Sequence, residues 1–232
     1  MEKQEQEQLK KIKNKLTELQ KNGWEKYTYL STEIEKHKFI LEPHYQEEQV
    51  SSFENQFGIT LPSQFRTFIT TLGSFGAGPR YGLLYMDWYT ETDLFEDPLK
   101  TSKSLQDPCV LEDKGYNDNW LEKIGGDDWE KRLYDDESWS PYQGMISIGN
   151  DGCTGRTALV INGPLRGRLF SINTDLWPPR IYPELSFFDW YEAWLDALIE
   201  EKENNHLGVY VRTKSTAASA RTDCNGRTKT SS

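Results

Sequence analysis

Apolar side chains recur every three or four residues in several parts of the sequence, a spacing that predicts amphipathic helices. The first helix is predicted over residues 2–20. Its narrow apolar stripe consists of Leu9, Ile12, Leu16 and Leu19. A narrow stripe favours a helix that packs on the main body, although the same stripe could bind a partner. Two shorter helices are predicted over residues 46–57 and 62–72. Gly58 is placed to end the first with positive φ, and Gly73 is the predicted C-cap of the second.

The last predicted helix begins with a capping box. Ser186 is its N-cap, and Asp189, three residues later, stands in for the usual Glu or Gln. The helix is expected to continue to about Glu203. Its buried face is strongly aromatic and is formed by Phe187, Trp190, Tyr191, Trp194, Leu195 and Leu198. Such a face is most simply interpreted as part of the core.

Short β-rich runs separated by Gly, Asn, Asp and Pro predict strands. Three of them, at 145–148, 157–161 and 168–172, follow one another closely and predict an antiparallel meander. A further strand is predicted over 81–86. The stretch between them, residues 87–142, has no sustained period, although short helices are expected around Trp120-Leu121 and 129–132.

The connection between the first two strands of the meander, residues 149–155, is unusually rich in glycine. It therefore either makes a demanding turn or holds a ligand. A phosphate cradle would need a Walker lysine and a following helix, and neither is present in the sequence. Cys153 could be a nucleophile, but no sequence signal supplies a base for it. The favoured interpretation is a turn in which Asp151 folds back on the backbone and three glycines adopt positive φ: Gly149, Gly152 and Gly155.

Composition indicates a folded domain rather than a disordered acidic chain. Hydrophobic residues make up only 36% of the 232 residues, but aromatic residues make up 13%, and each buries a large area. No apolar run is long enough to span a bilayer, and residues 1–20 lack the apolar core of a secretory signal. The three cysteines are far apart and form no Cys-x-x-Cys pair. We therefore expect neither a disulfide framework nor a zinc site, and we predict a cytoplasmic protein.

The formal net charge of −10 is unevenly distributed. Residues 87–137 contain sixteen acidic and six basic residues, whereas residues 211–232 contain five basic residues and one acidic residue. An acidic field repels nucleic acid and membrane surfaces and attracts basic partners. We therefore expect a protein partner, with no role for nucleic acid or membrane. The tail, 211–232, has no apolar period and is predicted to be disordered.

Within this acidic span, carboxylates alternate with aromatic residues, a combination typical of protein–protein interfaces. The predicted partner-binding residues are Asp127, Asp128, Trp129, Asp135, Asp136, Glu137 and Trp139. The same carboxylates could hold a divalent metal, but their spacing does not match an EF-hand loop. The three histidines form no recognised ligand motif. We therefore predict no catalytic residue, no metal site and no cofactor. The tryptophans could instead anchor a long loop to the core.

Three stretches in this order resemble the SUKH superfamily, which includes a yeast cell-wall-synthesis regulator and many bacterial toxin-immunity proteins. The first is Phe53-Glu54-x-x-Phe57-Gly58-Ile59-x-Leu61-Pro62-Ser63-x-Phe65-Arg66-x-Phe68, followed by Leu72-Gly73-Ser74. The second is the Ile146-Ser147-Ile148-Gly149-Asn150-Asp151-Gly152-Cys153 segment with Leu159-Val160-Ile161 and Gly163. The third is Phe187-x-x-Trp190-x-x-Trp194-Leu195. The resemblance covers residues 46–202. Here Gly73-Ser74-Phe75-Gly76 replaces the usual Asn-Gly-Gly, and the middle insert is long and acidic.

The resemblance implies an α+β domain with a central, mostly antiparallel sheet flanked by helices and no active site. On this basis the chain is expected to comprise an N-terminal helix (1–22), a SUKH-like domain (23–210) with an acidic insert (87–142), and the tail. The leading hypothesis is an immunity protein that binds and neutralises a basic toxin domain, such as a nuclease. The alternatives are a regulatory scaffold linked to cell-wall synthesis, which would use the N-terminal helix and the tail, and an enzyme that uses Cys153.

Overall fold

The computed structural model describes residues 3–27, 33–90, 98–135 and 139–204. These residues form helices and an antiparallel sheet, which confirms the predicted α+β class. The helices are α1 (Lys3–Asn22), α2 (Ile34–His37), α3 (Glu47–Phe57), α4 (Ser63–Thr71), α5 (Pro98–Gln106), α6 (Trp120–Gly125), α7 (Trp129–Asp135) and α8 (Phe187–Asn204), with 3₁₀ turns at Trp24–Tyr27 and Met86–Trp88. The strands are β1 (Met145–Gly152), β2 (Gly155–Val160), β3 (Leu169–Asn173) and β4 (Arg180–Ile181). The predicted tail lies outside the described residues.

The four strands pair in sequence order, β1-β2-β3-β4, and every pairing is antiparallel. The predicted meander is therefore confirmed. The short strand β4 was not predicted, because Trp177-Pro178-Pro179 interrupts the apolar pattern just before it. Register shifts in β1 fall between Ser147 and Gly149 and between Asn150 and Gly152, and such bulges bend the strand at its glycine-rich end.

Both faces of the sheet are buried. Successive residues of a strand point to opposite sides, and the two sides belong to two different cores. One face contributes Ile146, Ile148, Leu159 and Leu169 to a first core that also contains residues of α1, α3, α4 and α8. The other face contributes Met145, Ala158, Val160, Phe170 and Ile172 to a second core. Side chains of α6 and α7 complete the second core. The part of the acidic insert that contains α6 and α7 thus covers the second face of the sheet.

The N-terminal helix α1 packs on α8. Its stripe residues Ile12, Leu16 and Leu19 are buried in the first core. On its outer edge, the Lys15 ammonium lies 2.6 Å from a Glu192 carboxylate oxygen and 2.5 Å from one of Asp196. The predicted packing of this helix on the main body is therefore confirmed.

The segment predicted as a strand over 81–86 is not a regular strand. Leu83 forms isolated antiparallel bridges with Gly76 and Gly149, and residues 86–88 turn into a 3₁₀ helix. The backbone still runs along β1, since the Leu84 amide donates to the Ile148 carbonyl at 2.9 Å. Gly82 explains the irregularity: its φ is +96°, and an added Cβ would lie 2.0 Å from the Gly76 carbonyl oxygen. Alternating residue types alone could not predict this interruption.

The helix ends differ from prediction at one position. Gly58 has φ +65° and ends α3 in the left-handed conformation, as predicted. Gly73 does not adopt positive φ, and Leu72 is the residue that ends α4. A Cβ at Gly73 would lie 2.5 Å from the Leu41 Cβ, so this position requires glycine for space rather than for conformation.

The resemblance motif has a clear structural role at the α3–α4 joint. The Glu54 carboxylate accepts a hydrogen bond from the Leu61 amide at 2.8 Å and two from the Arg66 Nε at 3.2 Å. Arg66 also donates to Glu47 at 2.9 Å, and the two form an ion pair. These charge-assisted bonds hold the two helices and the turn between them in one arrangement.

We predict that Glu54→Ala lowers the free energy of unfolding by about 2 kcal/mol, because it leaves the Leu61 amide and the Arg66 guanidinium without their shared acceptor. Urea unfolding followed by circular dichroism measures this change. Gln56→Ala, at an exposed position of the same helix, is the matched control and should change stability by less than about 0.5 kcal/mol. Equal effects of the two variants would contradict a structural role for Glu54.

Candidate functional site

Helices α6 and α7 are in contact and, with the turn between them, form a unit that we call the acidic hairpin (residues 118–134). Its apolar side chains Trp120, Leu121 and Leu133 point into the second core. The outer surface carries five exposed carboxylates: Asp118, Glu122, Asp127, Asp128 and Glu130. The ion pairs found among the described residues involve other carboxylates. The negative charge of this surface therefore faces solvent.

Two of the three cations of the hairpin have structural contacts, and the third, Lys131, is exposed. Lys123 Nζ lies 3.0 Å from the Asn117 side-chain oxygen. The Arg132 guanidinium donates to the Gly125 carbonyl at 2.9 Å and lies 4.8 Å above the Trp139 ring. Arg132 thereby ties α7 to the end of α6 and covers an indole, which restricts its side chain to the base of the hairpin.

The two predicted aspartates of the turn are accessible to a partner. Asp127 and Asp128 are exposed and directly precede α7, where the helix dipole favours negative charge. Asp135 is the last residue of α7. Asp136 and Glu137 lie outside the described residues. Contact of these carboxylates with a partner stays a prediction.

The two predicted tryptophans, Trp129 and Trp139, are not exposed on the surface of the hairpin. Trp139 is only 3% exposed and belongs to the second core. Trp129 is half-buried and packs against the same core. Gly125 lies between them, since a Cβ there would be 2.6 Å from the Trp129 Cβ and 3.0 Å from the Trp139 ring. Trp139 thus anchors the hairpin, and its ring surface is occupied by Arg132 rather than presented to a partner.

The aromatic residue that the hairpin does present is Tyr134, whose exposed fraction is 79%. It was not among the predicted contact residues. Helical spacing from Trp129 and Leu133, which face inward, would have placed Tyr134 on the outer surface. An exposed tyrosine beside carboxylates is the more suitable contact residue, because tyrosine combines a large apolar face with a hydrogen-bonding hydroxyl.

The glycine-rich connection is a turn, but its details differ from prediction. Of its three glycines only Gly152 has positive φ, at +87°, and Cys153 also adopts positive φ, at +47°. Asn150, rather than Asp151, folds back on the backbone: its side-chain oxygen accepts a hydrogen bond from the Gly152 amide at 2.9 Å. The Tyr81 ring covers Gly152 so closely that an added Cβ would lie 2.6 Å from it.

Asp151, which is half-buried, instead joins a polar network that the sequence did not reveal. Its carboxylate accepts a hydrogen bond from the Thr157 hydroxyl at 3.1 Å, and that hydroxyl lies 3.2 Å from the Tyr182 hydroxyl. Burial raises the pKa of Asp151 to about 6, although the Thr157 hydrogen bond and the charges of Arg80 and Arg156 act in the opposite direction. Burial also raises the pKa of Tyr182. The network fastens the end of β1 to the chain after β4.

The cysteines offer no free, activated thiol within the described part of the chain. Cys109 is buried, and burial raises the pKa of its thiol to about 11, although an interaction with the Leu111 backbone lowers it. Cys153 is disulfide-bonded, which corrects the expectation drawn from cysteine spacing for this residue. A nucleophilic cysteine needs an accessible thiolate, and the described residues do not supply one at either position.

Within the described ranges, no group of three or more His, Cys, Asp or Glu side chains is arranged to hold a metal ion. No described helix is both long and apolar enough to cross a membrane. No family model, curated protein or solved structure matches the chain. The functional assignment therefore depends on the geometry and charge of the surfaces.

Proposed function

We propose that this protein is a non-enzymatic binding protein of the immunity type, which neutralises a basic toxin domain through the acidic hairpin. The observation that carries the proposal is the set of exposed carboxylates on a hairpin whose opposite face is packed into the core. A surface with an excess of one charge, held on a folded scaffold, attracts an oppositely charged partner and speeds encounter.

The resemblance to immunity proteins and the charge of the hairpin support the same kind of partner. A nuclease that binds nucleic acid carries a basic surface, and carboxylates can compete with phosphates for that surface. Tyr134, at the end of the hairpin, would supply an exposed apolar contact for the partner. The network around Asp151 and the core tryptophans keep the supporting sheet in place.

Fewer observations support the alternative, a regulatory scaffold that uses its N-terminal helix. The apolar stripe of α1 is already buried against the domain, and its Lys15 is paired with two carboxylates of α8. A partner would have to displace these contacts before it could use the stripe.

We predict that Asp127→Lys combined with Asp128→Lys weakens partner binding about 100-fold at low salt, since each reversal replaces an attraction by a repulsion. The partner to test is an inactivated form of a basic toxin domain encoded beside this gene, with affinity measured by calorimetry at 50 and 300 mM NaCl. The wild-type affinity should fall more steeply with salt than that of the variant.

The matched control is Glu18→Lys combined with Glu35→Lys, which changes the net charge equally at exposed positions of α1 and α2. This control should retain affinity within about threefold and should still protect cells that express the toxin. Equal losses in both double variants would point to net charge alone. Unchanged affinity of the hairpin variant would overturn the proposal.

A further inference from the structure

A second surface with binding character lies on the side of the sheet where α3 packs, away from the acidic hairpin. It is a groove of about 800 Å³. One wall is the exposed edge of α3, where Gln49, Ser52 and Gln56 follow one another at helical spacing. The opposite wall includes Phe75 and Tyr85. We call this feature the aromatic groove.

Phe75 and Tyr85 of the second wall begin a row of three aromatic side chains, which continues beyond the groove lining to Trp88. The ring centroids of Phe75 and Tyr85 are 5.7 Å apart, and those of Tyr85 and Trp88 are 5.4 Å apart, both pairs tilted by nearly 60°. Tyr85 is 36% exposed and Trp88 is 40% exposed. A row of large, partly exposed rings is unusual on a protein surface unless it contacts something, and ring faces of this kind attract cations.

The charge of the groove has one sign. Glu48 lies on the α3 wall and Asp87 on the opposite wall, both are exposed, and neither forms an ion pair with another described residue. No basic residue is among the described residues that line the groove. Burial raises the pKa of the Tyr45 phenol. The hydrogen bond from the Met86 amide lowers this pKa, and the nearby Asp87 charge raises it further. The groove thus combines aromatic faces, carboxylates and amide side chains.

We propose that the aromatic groove binds an extended basic segment of a partner protein. A lysine or arginine side chain of that segment packs over the faces of Tyr85 and Trp88 and pairs with Glu48 and Asp87. The Gln56 amide group and the Gln49 amide nitrogen line the groove and can hydrogen-bond to the backbone of the same segment, whereas the Gln49 oxygen already accepts from the Gln46 amide at 2.9 Å. Nucleic acid does not fit, because its phosphates would face two carboxylates. The proposal goes beyond the acidic hairpin, since the two surfaces belong to layers on opposite faces of the sheet.

The test uses the full-length chain and a displayed library of random octapeptides. We expect the wild-type protein to enrich peptides that carry Lys or Arg next to apolar residues. Binding of one enriched, fluorescently labelled peptide should weaken at least tenfold in Trp88→Ala and in Glu48→Gln combined with Asp87→Asn. All three positions are exposed, and circular dichroism verifies that the variants remain folded.

The control is Asp127→Asn combined with Asp128→Asn, which changes the acidic hairpin and should leave peptide affinity within twofold. This control separates the groove from the proposed function: failure of toxin binding at the hairpin would leave the groove result unaffected, and the reverse also holds. The proposal is overturned by a library that yields no enrichment or no basic preference. It is equally overturned if the groove variants bind the peptide as tightly as wild type, or if the hairpin control loses binding to the same extent.

Discussion

Replacing Trp120 with alanine is expected to lower the free energy of unfolding by about 3–5 kcal/mol. The side chain is fully buried at the centre of the second core. Its ring stacks on Tyr142, with centroids 5.8 Å apart and planes 25° apart, and its indole N–H donates to the Leu176 carbonyl at 3.0 Å. Truncation would remove the packing, open a cavity and leave that carbonyl without its donor.

The measurement is urea unfolding followed by far-ultraviolet circular dichroism, with Trp177→Ala as the control. Trp177 is 61% exposed and lies one residue after the carbonyl that accepts the Trp120 hydrogen bond. Its loss should cost less than about 1 kcal/mol. Similar costs for the two variants would show that the acidic hairpin is only loosely attached to the sheet.

This result also bears on function, because the acidic hairpin can present its carboxylates only while its inner face stays packed. We therefore expect Trp120→Ala to weaken partner binding without changing any surface charge. Trp120→Phe, which retains an aromatic ring and loses the indole N–H, should recover most of the binding. Recovery would indicate that Trp120 positions the hairpin rather than contacting the partner.

The elements that depend on local chemistry could be predicted from sequence. The N-cap of α8 is one example, since the Asp189 amide donates to the Ser186 hydroxyl at 3.3 Å, although the Asp189 carboxylate accepts from that hydroxyl rather than from the Ser186 amide. Gly58, which ends α3 in the left-handed conformation, and the strands of the meander are further elements that the sequence predicted. The second covering layer could not be predicted, because α6 and α7 are six and seven residues long and too short for a periodic pattern. Short helices around Trp120 and Trp129 were expected, but only tertiary contacts show that they cover the sheet.

The candidate site was predictable in charge and less so in orientation. Acidic composition correctly pointed to exposed carboxylates at Asp127 and Asp128. It could not show that Trp139 faces inward beneath Arg132 while Tyr134 faces outward, because this depends on how α7 packs. The Asp151 network was hidden for a similar reason, since Tyr182 lies 31 positions further along the chain and meets it only through the fold.

Two titratable groups, the buried His37 and the half-buried Asp151, are expected to give the folded protein opposing pH dependences. Burial lowers the pKa of His37 to about 4, although the carbonyls of Arg80 and Gly78 oppose that shift, and the Phe39 amide donates to the His37 Nδ1 at 3.1 Å. Burial raises the pKa of Asp151 to about 6. Each pKa unit corresponds to about 1.4 kcal/mol of stability.

The signs follow from which state takes up the proton. As the pH falls from 6.5 to 4, the unfolded chain protonates His37 and the folded chain does not, so the folded state loses roughly 3 kcal/mol. As the pH falls from 6 to 3.8, the folded chain protonates Asp151 before the unfolded chain does. The folded state therefore gains about 1–3 kcal/mol, the lower part of this range reflecting the partial exposure of the residue.

We therefore predict that single substitutions uncover the two dependences. Asp151→Asn should make stability fall more steeply than in wild type between pH 6.5 and 4, because only the His37 effect remains. His37→Asn, whose side-chain oxygen can replace the Nδ1 acceptor, should make stability fall less steeply or rise over the same range. Urea unfolding at pH 4, 5, 6 and 7 measures both slopes, with exposed Glu18→Gln as the control. Curves parallel to wild type in both variants would show that neither group titrates differently on folding; opposite deviations would place one proton-linked site in α2 and another at the end of β1.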